Sequence, residues 1–115
     1  MTPVEPEILM SLAAVMPRSE LLAIIATFEA DLRRLGGELQ AAVAGGDLAV
    51  YRRAAHALAG AAAGVGAKRL EGVARHAMDP NGAEQPATLA VLIRLEVEEA
   101  CVELARLGAE LPAAD

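Results

Sequence analysis

Residues 51–78, YRRAAHALAGAAAGVGAKRLEGVARHAM, carry the strongest helical signal in the chain. At 100° per residue, Tyr51, Ala54, Leu58, Ala62 and Val65 fall into one apolar stripe. His56 points the opposite way. Around it lie Ala49, Arg52, Arg53, Ala59, Gly60 and Ala63. The stretch therefore predicts an amphipathic helix with an open outer face of small side chains. One imidazole stands on that face, with two guanidiniums one turn before it.

The apolar periodicity is helical everywhere, and no strand signal appears. Asp47 is placed to cap the His56 helix, which is expected to run to about Ala63 before Gly64 and Gly66 turn the chain. A helix over Ala67 to Met78 follows, with Leu70, Val73 and Ala77 inward. DPNGAEQP, residues 79–86, is the clearest break. A last helix spans about Ala87 to Leu107 with a seam of Ala90, Ile93, Val97, Ala100, Leu104 and Leu107. Leu92, Leu95 and Val102 widen that seam into a broad apolar face.

Upstream, Ser19 is expected to cap a long helix carrying Leu21, Ile25, Phe28, Leu32, Leu35, Leu39 and Ala42. Its phase survives Gly36-Gly37, so the helix reads as one piece to about Ala44, with a bend at the glycines. Gly45-Gly46 ends it. A short helix precedes it, from about Glu5 to Val15, with Pro6 in its first turn and Pro17 after its end. The expected architecture is all-α: an antiparallel four-helix bundle with a short additional N-terminal helix, one domain over residues 1–115.

Composition supports this. Alanine supplies 27 of 115 residues and aromatics only 2%, so close-packed helices suit the chain better than a sandwich or barrel. The net charge of −6 argues against non-specific nucleic-acid binding. Charge is nonetheless uneven. Between Arg52 and Arg75 five basic residues face one acid, Glu71, so the basic field coincides with His56 and suggests an anionic group or acidic partner there. Glu96, Glu98, Glu99 and Glu103 read as the wet side of the last helix. Cys101 is the one cysteine and reads as a small core residue. Met10, Met16 and Met78 read as gap fillers. With no signal-peptide n-region and no membrane-length apolar run, the expected location is the cytoplasm and the expected state a monomer.

His56 has the chemistry of a phosphoryl carrier. A neutral imidazole has a lone pair on one ring nitrogen, attacks phosphorus, and later leaves readily. Phosphoryl transfer demands in-line positioning and charge stabilisation, so small neighbours that let a partner close over the nucleophile are useful. Gly60, costing ~1 kcal/mol relative to alanine inside a helix, fits that need. The plainer reading is a surface histidine in an alanine-rich helix. Arg52 and Arg53 have two readings as well: they hold phosphate oxygens or dock an acidic partner, or they are ordinary solvated charges. His76 has no set of further ligands to make a metal pair with His56, so no metal site is expected. No Gly-rich phosphate loop or kinase signature is present, so the chain is expected to be a carrier without kinase activity of its own.

Ala55, His56, Leu58, Gly60, Gly66, Ala67 and Leu70 resemble, without a gap, the motif of the histidine-containing phosphotransfer (HPt) domain family. Gly46-Asp47 and Phe28 also stand where that family usually has them. The resemblance implies a phosphorelay protein of two-component signal transduction. In it His56 becomes phosphohistidine and exchanges the group with an aspartate on the receiver domain of a hybrid kinase or response regulator. It also implies Mg²⁺ on that receiver and no cofactor on this chain. Two positions depart from the pattern. The family usually has Lys three residues after the histidine, where this chain has Ala59; many members have Gln at the end of the next helix, where it has Met78. These departures favour the alternative of a degenerate domain that binds a receiver or helical partner without carrying phosphate, and the broad apolar face of the last helix supports a further one, a plain helical interaction or dimerisation module.

Overall fold

The computed structural model describes residues 2–114 and contains five helices among them: α1 (Glu7–Ala13), α2 (Arg18–Ala44), α3 (Leu48–Val65), α4 (Lys68–Met78) and α5 (Pro86–Glu110). α2 packs against α3 and α5, and α4 packs against the same two. The four long helices thus form a square in which α3 and α5 are diagonal. Short links make successive helices antiparallel. α1 lies across α2 and α3.

The core is built almost entirely from Leu, Ile, Val and Ala, including fully buried Leu21, Leu32, Leu39, Leu58, Leu70, Ile93 and Leu104. Small residues set how close the helices come. A Cβ at Gly36 would lie 3.3 Å from Val97 Cγ2, and one at Gly108 would lie 2.7 Å from Ile25 Cδ1. α2 therefore runs unbroken through Gly36-Gly37, because the first glycine admits α5 rather than interrupting the helix. All six residues of the α5 seam are buried. Cys101 is in the core too, where burial pushes its thiol pKa up.

Several local expectations need correction. α2 begins at Arg18 with Pro17 at its N-cap, and no side chain caps it; Ser19 is already inside the helix. Its neighbour Arg18 has a different use: its guanidinium donates to the carbonyls of Gly108 (2.5 Å), Ala109 (3.2 Å) and Leu111 (2.7 Å). It thereby closes the C-terminus of α5, where four carbonyls lack helical partners. α1 is shorter than expected, and α5 is longer, starting with Pro86 at its first turn. Met10 is exposed rather than packed, and Val73 is only half-buried, with Ala74 taking the inward place on α4.

The Asp47 cap is as expected: its side chain accepts from Val50 N at 3.1 Å. α3 does not stop near Ala63, however. It continues through Gly64 to Val65, and Gly66 alone makes the turn, at φ 80°. Ala67 N donates back to Ala62 O at 2.9 Å, the wrap that a left-handed glycine permits.

Candidate functional site

α3 presents its outer face to solvent over more than three turns. Arg53, His56, Ala57, Gly60, Ala63 and Gly64 are all exposed. No heavy atom outside the local helix lies within 4 Å of a Cβ built at Gly60 or Gly64. Nothing inside the molecule therefore requires glycine at either position. Reading Gly64 as a turn hid its place on this face. The signal that could have found it is the four-residue step from His56 to Gly60 to Gly64.

Ala59 is not on the open face. It is 3% exposed and belongs to the core with Tyr51, Ala54, Ala55, Leu58 and Ala62. The buried arc of α3 is wider than the predicted stripe because two helices, α2 and α4, press on it from either side. Ala55 and Ala59 are taken up on one flank of that arc. His56 sits just outside it.

Two cavities mark where α3 meets α4. One, of about 220 Å³, is bordered by Tyr51, Arg52, His76, Asp79 and Glu84. The other, of about 290 Å³, is bordered by Glu5, Ile8, Ala63, Lys68 and Glu71. His56 lies along α3 between the residues that border them. In the first, the Tyr51 hydroxyl is buried without a hydrogen-bond partner among the described residues, and burial holds its phenol above the ordinary range against the pull of Arg52.

The basic field around His56 is smaller than the sequence implies. Arg75 is held by Glu71 on its own helix at 2.6 Å. Arg69 reaches across to Glu96 at 3.1 Å and to Glu99, both on α5. Arg52, Arg53 and Lys68 remain without an ion pair among the described residues, with Arg52 half-buried and Arg53 exposed. The acidic side of α5 is likewise not simply wet, since Glu98 pairs with Arg33 and Glu103 with Arg106. His76 is exposed on α4. Among the described residues no three His, Cys, Asp or Glu side chains gather as a metal site requires, and no helix is long and apolar enough to cross a membrane.

The chain is thus a four-helix bundle with a solvent-facing histidine amid glycine and alanine. The chain belongs to the Hpt domain family, whose pattern it matches over residues 23–113. No curated protein and no solved structure matches it. Hpt domains act in histidine phosphotransfer in two-component signalling and interact with the receiver domains of response regulators.

Proposed function

We propose that the chain is a cytoplasmic phosphorelay carrier in which His56 takes a phosphoryl group from a receiver aspartate and passes it to another. The observation that carries this reading is the open surface at His56, Gly60 and Gly64, where no internal contact explains the glycines. A neutral His56 attacks the phosphorus of an aspartyl phosphate. The N–P bond forms as the bond to the carboxylate oxygen breaks, and the aspartate leaves as a free carboxylate. Return transfer reverses the step. Mg²⁺ belongs to the receiver, and this chain contributes no cofactor.

Arg52 and Arg53 support the phosphoryl group electrostatically. Helical side chains lean toward the N-terminus of their helix, so the His56 ring tilts over the turn that carries both arginines. A lysine at position 59 would lean back toward the ring in the same way; alanine there removes that charge. The burial of Ala59 and the apolar Met78 favour the second reading, a receiver-binding domain without phosphate transfer.

Incubation with a phosphorylated receiver separates the two. Transfer of acid-labile label to the parent chain and to His56-containing His76→Gln, and its loss in His56→Gln, is the expected outcome. Receiver binding without any label on the parent chain would establish the degenerate reading instead.

A further inference from the structure

α5 carries a second apolar seam on the side facing away from the core. Val91, Leu95, Val102, Ala105 and Ala109 are all exposed and, with Glu98 between Leu95 and Val102, follow alternating steps of four and three residues. That is the spacing of a helix that packs on another helix along its length. A surface helix needs one apolar stripe, and the core seam already supplies it. Leu95 is 53% exposed and Val102 64%, with Leu92 beside them at 44%. Large residues gathered into one strip call for a partner in a way that scattered ones do not.

We propose that this strip pairs with the same strip of a second copy of the chain, antiparallel, to form a homodimer. Three features of the surface favour a copy of itself. First, the carboxylates beside the strip are ion-paired within the chain: Glu98 with Arg33 at 2.6 Å, Glu110 with Arg106 at 2.5 Å, Glu103 with the same Arg106, and Glu99 with Arg69. This pairing lessens, without cancelling, the repulsion between two copies of an acidic protein at this face. The Arg33 bond also draws the Glu98 carboxylate sideways toward α2, which leaves its methylenes on the seam.

Second, the strip has a projection at one end and a recess near its middle. Val91 and Leu92 stand out near the start of α5. A groove of about 280 Å³, bordered by Pro3, Glu98, Glu99, Val102 and Glu103, lies further along. With Val91 set against Val102 of the second copy, Leu92 comes level with that copy's groove, and two-fold symmetry repeats the fit. Third, Arg94 makes no ion pair among the described residues. In this register it comes within one residue of level with Glu98 of the second copy and extends the Arg33–Glu98 pair across the interface. Leu95 then lies on the Glu98 methylenes.

α5 is diagonal to α3, so pairing through its outer face leaves both His56 surfaces open. The proposal departs from the monomer expected of the sequence and does not depend on whether His56 carries phosphate.

Sedimentation equilibrium on the full chain tests it. The parent should sediment as a dimer. Leu95→Glu should sediment as a monomer, with unchanged helical circular dichroism and the parent's receptivity to label at His56. Val91→Cys with Val102→Cys should give a covalent dimer on mild oxidation. Val91→Cys alone should not, because the two copies of residue 91 would be about 16 Å apart along the helix axis. A parent chain that stays monomeric over the whole concentration series overturns the proposal. So does a Leu95→Glu variant that dimerises like the parent, or a single-cysteine variant that cross-links as readily as the double one.

Discussion

The backbone of Glu5 lies directly on Gly66. Glu5 N donates to Gly66 O at 2.8 Å, and a Cβ at Gly66 would stand 2.7 Å from the Glu5 carbonyl oxygen. One residue thus ends α3, turns the chain into α4 at φ 80°, and anchors the segment that leads into α1. The glycine is required twice over, by its left-handed conformation and by the close approach of another backbone.

Gly66→Ala should therefore destabilise the chain by about 1–3 kcal/mol, the range for a non-glycine residue held in an unfavourable conformation with an added clash. Equilibrium denaturation in urea measures it. An unchanged midpoint would mean that the segment before α1 moves away at no cost.

Gly60→Ala should do the opposite. A Cβ there meets nothing within 4 Å, so the substitution gains up to ~1 kcal/mol of helix propensity without strain. Gly60→Leu should also remain folded, yet slow phosphoryl transfer at least tenfold by standing beside the imidazole where a partner must approach. Transfer at the parent rate would show that the glycine does not serve partner approach.

The contrast between these glycines shows what sequence can and cannot reveal. The helices, their order and most inward positions follow from a 3.6-residue repeat, which a local window contains. His56 followed in the same way, as the residue opposite the stripe. Ala59 did not, because its burial depends on α4 closing against one flank of α3, a contact no window in α3 records. In the sequence Arg69 reads as part of a basic field because its partners, Glu96 and Glu99, lie on another helix. Arg18 closes the far end of α5, some 90 residues away in sequence. Gly64 could have been recognised; the expectation that glycine breaks a helix outweighed its regular spacing from His56 and Gly60.

Acid should weaken the fold through its ion pairs. The Glu98 and Glu103 carboxyls titrate below the ordinary 4.5 because Arg33 and Arg106 hydrogen-bond to their charged forms. A folded-state pKa below the unfolded one means that the folded chain binds fewer protons in that range. The stabilisation is present above about pH 4.5 and drains away as pH falls through the lowered values. The acid limb of a stability-against-pH curve should be shallower for Glu103→Gln than for the parent. Parallel limbs would show that the Arg106 pair contributes nothing to stability.

The last prediction concerns Arg52 and Arg53, which with Lys68 are the cations left without an ion pair around His56 among the described residues, Arg69 and Arg75 being taken by glutamates. Both stand on the turn over which the imidazole leans, one half-buried and the other exposed. A phosphoryl group adds close to two negative charges, and no lysine follows His56 at the third position to meet them. Arg52→Gln with Arg53→Gln should therefore shorten the lifetime of phosphorylated His56 or slow its formation, and weaken receiver binding, each several-fold at low ionic strength. The binding loss should shrink as salt rises, because exposed charges are screened over ~8–10 Å. The fold should be unaffected, since neither arginine makes an ion pair among the described residues. Labelling kinetics and receiver titrations at low and high salt measure all three. A double variant that binds and transfers like the parent at low salt would reduce the arginines to solvated charges and leave Ala59 without compensation.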